Sequence, residues 1–439
     1  MKRVLISIFA VLLYVLPVSA SVDIKEVKTE GGLTAWLVKD QSIPFMALEI
    51  RFRGGASLDA PGKRGAINLM TALLKEGAAD MDSREYTRAV EGLAASISMG
   101  VDDDALSLSA RFLTENRDEA VALLKAAIQE PRFDDDAIER VRAQVLSGIE
   151  SDAKKPDELA SRAMDRIAFG NHPYATSLSG TLESVAALTK EDLIQAHSSV
   201  LARDRIYIGA VGDITEEELS VLLDDLLGDL PATGAPMPPA AEVDFAGGVT
   251  VVPFETPQSV TRFAQRGIAQ DHPDYFTAIV LNHVLGGGSS ESRLMDEVRA
   301  KRGLTYGVYS YLANKDLGDI YVGAVSSAND RIAEAIEVIR AEWEKAASEG
   351  VTAEEVENAK TYLTGAYPLR FDGNGRIANI MVGMQLIDLP IDYIATRNDR
   401  VDAVTVEGVK RVAGELLDPD GLHFVVVGQP VGLETTPAN

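Results

Sequence analysis

The sequence predicts an α+β protein made of two similar halves joined by a proline-rich linker. Strand-like and helix-like stretches are mixed along all 439 residues, a length sufficient for two domains. Residues 231–242 hold four prolines and no helical or strand pattern, which is typical of a linker. Four segments of the first half recur beyond it in the same order: Arg88 with Gly92–Leu93 as Arg299 with Gly303–Leu304, Ile138–Glu139 as Val356–Glu357, Leu188–Glu191 as Val404–Glu407, and Ala210–Asp213 as Val426–Gln429. The spacing between partners drifts only from 211 to 218 residues, which indicates duplication rather than chance matching.

The first half begins with segments of strand character. Residues 22–60 contain three runs rich in β-formers, IKEVKT, GLTAWLVKD and ALEIRFRGG, between glycine and polar turns. Residues 64–77 predict an apolar helix, and residues 83–95 predict a second one with Ser83 as its N-cap. ASISMG and DALSLSARF then predict a strand pair across an acidic turn at 101–104.

A long helical region follows at about 115–168, with breaks at Pro131 and Lys155-Pro156, and YIGAVGD at 207–213 predicts a buried strand. The predicted division of the chain is a signal segment at 1–20, an N-terminal domain at 21–230, a linker at 231–245, a C-terminal domain at 246–432 and a tail at 433–439.

The stretch around residues 286–311 organises the second half. The glycines at 286–288 end the preceding element, Ser289 or Ser290 is expected as the N-cap of a helix, and Gly303 is expected just past its end. The apolar residues at helical spacing predict a core that includes Leu281, Val284, Leu294 and Val298. TYGVYSYL then predicts a strand.

Arg299 and Tyr306 stand seven residues apart across this predicted helix-to-strand corner. A compact corner would turn a guanidinium and a phenol toward the same space, although spacing alone does not establish this. The structural alternatives are that Arg299 pairs with neighbours around Glu297 or faces solvent on the helix surface, and that Tyr306 is a half-buried strand aromatic like Tyr309 and Tyr311.

Composition excludes several classes of function. A net charge of −25 argues against nucleic-acid binding, and the lack of cysteine excludes disulfides, thiol nucleophiles and thiolate metal sites. Lys2 and Arg3, the apolar run 4–16 and Val18-Ser19-Ala20 predict a cleaved secretory signal; an uncleaved membrane anchor is the alternative. We therefore expect an exported protein.

The 286–311 stretch also carries a resemblance. Its Gly-Gly-x-Ser-Ser-x-Ser-Arg-Leu run, followed by an arginine, Lys-Arg-Gly-Leu and a tyrosine, resembles the C-terminal half of the pitrilysin/insulinase peptidases. The resemblance implies a clamshell of two homologous halves, each a mainly antiparallel sheet covered by helices. It also implies an Arg/Tyr pair that binds the substrate peptide opposite a zinc site, and by motif position this pair is Arg299 and Tyr306.

The zinc motif of that family, His-x-x-Glu-His, is missing. The helix predicted at 64–77 carries Asn68 and Ala72 at the two histidine positions and Thr71 at the position of the catalytic glutamate. The family's distal glutamate ligand aligns with Gly148, and Glu150 is two residues out of register. The resemblance therefore implies no zinc in this chain.

The other candidate sites are weak. Five histidines remain, none three or four residues from another: His172, His197, His272, His283 and His423. Distant histidines can converge in a fold, but the sequence nominates no set of zinc ligands, and His172 is interpreted as stabilising a turn. The triple aspartates at 102–104 and 134–136 lack EF-hand spacing and are interpreted as solvated turns. Gly286–Gly288 lacks the Lys-Ser/Thr of a phosphate loop.

The resemblance implies a non-catalytic subunit of a heterodimeric zinc peptidase, exported to the periplasm of a Gram-negative bacterium. Its partner would carry the intact His-x-x-Glu-His and the zinc, and its substrate would be an unfolded peptide. The alternative is a structural or peptide-binding pseudoenzyme, like family members that serve as core proteins of a mitochondrial respiratory complex. A neighbouring gene for a similar chain with an intact motif would favour the first reading. A peptidase active alone conflicts with Asn68, Thr71 and Ala72.

Overall fold

The computed structural model describes residues 22–287 and 290–436. The predicted signal segment at 1–20 lies outside these residues, as does Ser289. Within the described part, no helix is both long and apolar enough to cross a membrane. The chain forms two main β-sheets, and each is covered by helices.

The N-terminal sheet has six strands in the order β1-β2-β8-β3-β7-β6, antiparallel except where β2 and β8 run parallel. Its strands are β1 Lys25–Lys28, β2 Thr34–Lys39, β3 Phe45–Arg53, β6 Ser96–Val101, β7 Ala105–Leu113 and β8 Ile206–Gly212, with a separate small pair, β4 Gly77–Ala78 and β5 Met81–Asp82. Its helices are α1 Ala66–Leu73, α2 Ser83–Gly92, α3 Arg117–Gln129, α4 Asp135–Asp152, α5 Pro156–Phe169, α6 Leu182–Ala186, α7 Lys190–Val200 and α8 Glu216–Leu227. The strands and helices predicted from the sequence therefore form, with limits that differ by a few residues. The N-cap of α2 is Asp82, in a capping box with Glu85, and the prediction of Ser83 was wrong by one residue.

The C-terminal sheet has five strands in the order β11-β12-β10-β13-β9, antiparallel except where β9 and β13 run parallel. Its strands are β9 Gly248–Pro253, β10 Gln258–Arg266, β11 Val308–Lys315, β12 Gly318–Ala328 and β13 His423–Gly428. Its helices are α9 Tyr275–Leu285, a π-helix Met295–Ala300, α10 Ile332–Glu349, α11 Ala353–Gly365, α12 Asn374–Leu386, α13 Tyr393–Asp402 and α14 Val406–Leu416. The predicted core residues Leu281, Val284, Leu294 and Val298 are all buried, which confirms that prediction.

The two halves repeat one topology. The strand order β8-β3-β7-β6 of the first sheet matches β13-β10-β12-β11 of the second, with the same relative directions. β8 and β13 both end in a glycine with positive φ, Gly212 at 140° and Gly428 at 157°, and these glycines belong to the repeat seen in the sequence. In both cases a Cβ would collide with the neighbouring strand, so glycine is needed there. The predicted α+β fold of two homologous halves is confirmed.

One helix from each half packs on the β-sheet of the other half. α12 packs on β8 and β3 of the N-terminal sheet, and α5 packs on β10 and β13 of the C-terminal sheet. The contact is close enough that a Cβ on Gly209 would lie 2.6 Å from the carbonyl oxygen of Ala378 in α12. Two apolar clusters result: one joins Trp36, Ala47 and Val211 to Ala378, Met381 and Met384, and the other joins Ala160, Met164 and Phe169 to Ala264, Val425 and Val427. This exchange explains why β8 and β13 are apolar on both faces.

The hairpin tips of the two halves meet. Asp103 in the predicted acidic turn pairs with Lys315 at 2.6 Å, and Asp104 accepts a hydrogen bond of 3.2 Å from the backbone N–H of Asp316. Arg53 binds the Asp316 carboxylate with two hydrogen bonds, of 2.5 and 2.8 Å. The interpretation of residues 102–104 as a solvated turn was wrong, because the opposing hairpin supplies partners that only the tertiary fold brings near.

The segment after α8 has no helix or strand from 231 to 247 and runs across both halves. Its Ala235 N–H donates to the carbonyl of Ser199 at 2.9 Å in the first half. Ala241 N–H donates to the carbonyl of Leu317 at 2.6 Å in the second. The domain limits drawn from the sequence remain a prediction.

Candidate functional site

The helix that corresponds to the zinc motif, α1, packs against α4, α7 and the edge strand β6. Asn68 and Ala72 are four residues apart and therefore share one side of the helix, where Asn68 is half-buried and Ala72 is exposed. Thr71 is buried, and its hydroxyl donates to the carbonyl of Ile67 at 2.7 Å. The one oxygen at the position of the family's catalytic base is thus engaged by the helix backbone.

The fourth position of the family's metal site lies on α4. Gly148 is exposed, and a Cβ placed on it would meet no atom within 4 Å. Glu150 is also exposed, two residues further along α4. An amide, a hydroxyl, a methyl group and a bare backbone do not fit Zn²⁺, which binds imidazole, thiolate and carboxylate. Across residues 22–287 and 290–436, no group of three or more His, Asp or Glu side chains is arranged to hold a metal ion.

The histidines occupy separate places in the fold. The Nδ1 atom of His172 accepts a hydrogen bond from Tyr174 N–H at 3.2 Å, and its Nε2 contacts the Pro239 carbonyl oxygen at 3.1 Å. This confirms the turn-stabilising interpretation of His172. His197 contacts the Ile128 carbonyl oxygen at 2.8 Å, and His423 contacts the Thr250 hydroxyl at 2.9 Å. Burial lowers the pKa of both rings, so they serve as neutral polar groups of the core.

Arg299 lies on a π-helix, Met295–Ala300, and not on the α-helix predicted from the sequence. Ser290 lies in a turn before it, and the first helical turn has no side-chain cap. Gly303, with φ of +60°, ends the helix as predicted, and its N–H donates to the carbonyl of Arg299 at 2.9 Å. Short π-helical segments are rare and often occur at functional sites.

The segment just before the π-helix is held to α11 by a partly buried ion pair that was not predicted from the sequence. Arg293 donates to both oxygens of Glu355, from Nε at 2.6 Å and from Nη2 at 2.8 Å. Their side chains are 13% and 30% exposed. Nothing in the sequence identifies the partner of Arg293, which lies 62 residues away along the chain.

The side chains of Arg299 and Tyr306 are both exposed. Glu297 does not pair with Arg299, because its carboxylate is bound by Lys301 at 2.6 Å and by Arg302 at 2.5 Å. Tyr306 is 90% exposed and precedes β11, so it is not a half-buried strand residue. In the described part of the chain, neither side chain makes a hydrogen bond or an ion pair. Pairing of Arg299 near Glu297 and half-burial of Tyr306 in a strand are therefore excluded. The alternative that Arg299 simply faces solvent stays open, and the role of both residues in binding remains a prediction.

Ala72 on α1 lies on an open surface, as do Arg299 and Tyr306. A cavity of about 930 Å³ lies between the halves and is lined by residues such as Arg53, Tyr275 and Asp316, but it includes neither the α1 positions nor Arg299 and Tyr306. β6, beside α1, is the last strand of its sheet, so one side of its backbone has no strand partner among the residues that the structure describes. An open strand edge of this kind can accept an extended peptide.

Two family models match the chain: the insulinase (peptidase family M16) model over residues 35–182, and the peptidase M16 inactive domain model over residues 187–363. A Helicobacter pylori protein named non-peptidase homolog YmxG is 25% identical over 386 residues, which are 88% of this chain and 89% of that one. A probable mitochondrial-processing peptidase subunit beta of Schizosaccharomyces pombe is 27% identical over 329 residues, 72% of this chain and 71% of that one. A solved structure of a peptidase M16 inactive domain from Pseudomonas fluorescens has a TM-score of 0.87 at 28% identity and covers 95% of this chain and 100% of that one.

These matches span both halves and agree with the fold and with the residues on α1. The motif positions 68, 71 and 72 hold Asn, Thr and Ala, and these provide neither the imidazole ligands nor the carboxylate base of the motif. The chain therefore belongs to the insulinase (M16) peptidase family and lacks that family's His-x-x-Glu-His motif.

Proposed function

We propose that this chain is the substrate-binding subunit of a heterodimeric M16 zinc peptidase and supplies Arg299 and Tyr306 to its partner's active site. The observation that carries the proposal is a contrast between the two halves. The motif positions of the first half carry no histidine and no glutamate. In the second half, Arg299 and Tyr306 are exposed and make no hydrogen bond or ion pair through their side chains within the described residues. Exposed donors without internal partners are available to a ligand.

The division of labour is chemically reasonable. A homologous partner with an intact His-x-x-Glu-His would bind the zinc and activate water. In this chain, the Tyr306 hydroxyl and the Arg299 guanidinium would donate hydrogen bonds to carbonyl oxygens of the bound peptide. Donors on the wall opposite the metal would orient the peptide and stabilise charge that develops on the carbonyl oxygen. The open edge of β6 offers the same peptide a backbone partner.

The proposal includes a location and a substrate class. The charged start, apolar run and small residues of segment 1–20 support export, and we place the complex in the periplasm. The substrate is an unfolded peptide, since an extended backbone is what both an open strand edge and an Arg/Tyr pair can bind.

The test is reconstitution with a zinc-bearing partner and measurement of kcat and KM on an unstructured peptide. Tyr306→Phe removes only the hydroxyl, and we expect kcat to fall by roughly 10²–10³, as for loss of one oxyanion donor. Arg299→Ala removes a charge-assisted donor and should also raise KM. The matched control is Arg88→Ala, since Arg88 is the exposed equivalent of Arg299 in the first half.

Wild-type kinetics for both Tyr306→Phe and Arg299→Ala, in a complex shown by sedimentation to be fully assembled, would overturn the proposal. The chain would then be a structural or peptide-binding pseudoenzyme. An equal loss in Arg88→Ala would show that surface arginines act through net charge and not through the site.

A further inference from the structure

One face of the C-terminal sheet carries exposed aromatic rings that the proposed function has not used. Tyr309 and Tyr311 alternate along β11 and are 42% and 43% exposed. Their rings lie side by side with centroids 6.2 Å apart and planes inclined by 22°. Arg262 on β10 donates to the Tyr309 hydroxyl from Nη1 at 3.1 Å. We call these three residues the tyrosine face.

The tyrosine face lies on β11 beside helix α5, which packs mainly on β10 and β13 and reaches β11 at Ala313 and Lys315, toward the far end of the strand from Tyr309. Tyr309 stands directly opposite the buried Ala324 of β12, so its ring covers small side chains and is not inserted into a core. The Arg262 guanidinium lies between the Tyr309 hydroxyl and the Asp157 carboxylate, whose closest oxygen is 3.8 Å away. Arg262 therefore holds the Tyr309 ring, the Tyr311 ring lies alongside it, and both side chains stay more than 40% exposed.

The duplicated half shows that folding does not require these tyrosines. Gly212 and Gly428 are equivalent positions at the ends of β8 and β13. β8 pairs antiparallel with β3, and β13 pairs antiparallel with β10. The strand registers continue from β3 through β7 to β6 in the first half, and from β10 through β12 to β11 in the second. In this superposition Ser98 is the equivalent of Tyr309, and Gly100 is the equivalent of Tyr311. Ser98 and Gly100 are exposed. The same strand of the same fold is thus built with small residues in one half and with aromatic rings in the other.

The tyrosine face is continuous along the chain with the proposed substrate site. Tyr306 lies three residues before Tyr309 and is 90% exposed. The open edge of β11 is partly taken, because Ser310 N–H donates to the carbonyl of Gly286 at 2.7 Å. A peptide that reaches Tyr306 would therefore continue over the sheet face rather than pair along this edge.

We infer that the tyrosine face binds an extended peptide with apolar side chains two residues apart, an inference that rests on the proposed function. An extended chain advances about 3.3 Å per residue, so alternate side chains on one side are about 6.6 Å apart. This spacing matches the 6.2 Å between the Tyr309 and Tyr311 rings. Aromatic rings fixed in advance bind apolar groups at little entropic cost. The face thus selects substrates by the alternation of their apolar residues.

The test is fluorescence anisotropy with the isolated full chain and three labelled Ser/Asn-rich peptides. One peptide carries two leucines two residues apart, one carries them adjacent, and one carries none. We expect the alternating peptide to bind about tenfold more tightly than the other two. The double variant Tyr309→Ser/Tyr311→Ser, which reproduces the small-residue surface of the first half, should remove this preference. Tyr309→Phe/Tyr311→Phe should keep it, and Val221→Ser, at an exposed site on α8, should leave it unchanged.

The outcomes separate this inference from the proposed function. If Arg299→Ala weakens all three peptides alike while the serine double variant behaves as wild type, the proposed function stands and this inference is wrong. If wild type binds none of the peptides, both fail. If the double variant changes the oligomeric state in sedimentation and not the affinity for peptide, the face is a contact between copies of the chain, and the inference is overturned.

Discussion

Replacing Glu355 by Gln tests the ion pair that holds the Arg299 helix. The Gln side chain has almost the same size and can still accept a hydrogen bond, so the change removes mainly the negative charge. Arg293 would then be left with a buried positive charge, because its side chain is 13% exposed and its only other acceptor in the described structure is the Gly350 carbonyl at 3.2 Å. The unfolded chain exposes both groups to water, so the loss falls on the folded state.

The magnitude can be estimated in two ways. Burial alone would raise the pKa of Glu355, but hydrogen bonds from Arg293 and from Thr352 N–H outweigh it and lower the pKa to about 2. A fall from 4.5 to about 2 corresponds to about 3 kcal/mol of stability above pH 5. Breaking a buried pair typically costs about 3–5 kcal/mol. Because Glu355 is 30% exposed, we expect Glu355→Gln to lower the free energy of unfolding by about 2–3 kcal/mol.

The assay is guanidinium unfolding of both proteins between pH 8 and about pH 3.5. A carboxylate with a lowered folded pKa stabilises the protein above its unfolded pKa and loses this effect as the pH falls toward the folded value. The difference between wild type and Glu355→Gln should therefore stay constant down to about pH 5 and shrink below about pH 4.5. Glu334→Gln, in the exposed pair with Arg331, is the control and should cost under about 0.5 kcal/mol. A loss at Glu355 as small as at Glu334 would refute the reasoning.

Two further predictions concern the contact between the halves. In Gly209→Ala, the added Cβ would lie 2.6 Å from the Ala378 carbonyl oxygen and 2.8 Å from a methyl of Val382, so α12 must shift, at a cost of about 1–3 kcal/mol. Gly148→Ala in α4 meets nothing and should be neutral or stabilising by up to about 1 kcal/mol; equal thermal shifts for the two variants would contradict the close packing of α12. At Asp165 in α5, burial raises the pKa from 3.8 to about 6. Between about pH 4 and 6 the folded state therefore keeps a proton on Asp165 that the unfolded state has lost, and the free energy of unfolding falls as the pH rises through this range. Asp165→Asn should therefore stabilise the protein by about 1–3 kcal/mol at pH 8, and this gain should vanish below about pH 4; a gain that does not depend on pH would show that Asp165 does not titrate in this way.

Much of the site could be inferred from residue identity alone. The lack of histidine and glutamate at 68, 71 and 72 needs no structure, because no conformation gives an amide, a hydroxyl and a methyl group the chemistry of zinc ligands. The exposure of Tyr306 could not be inferred. TYGVYSY is a strand pattern throughout, but the Thr305 hydroxyl donates to the carbonyls of Gly307 and Ser326 at 2.8 and 2.7 Å and holds the first residues in a turn. A hydrogen bond to a residue 21 positions away leaves no trace in a local pattern.

The sequence by itself determined the α+β class, the two-half organisation, the buried stripe of Leu294 and Val298, and the loss of the zinc chemistry. These features depend on local periodicity, on repetition and on the identity of single residues. Only the tertiary structure decided that α5 and α12 are exchanged between the halves, that the acidic turn at 102–104 meets Lys315 and Asp316, and that Arg293 and Glu355 anchor a π-helix. The physical reason is that each of these depends on charges or apolar faces far apart in sequence. Their partners are chosen by the packing of the whole chain.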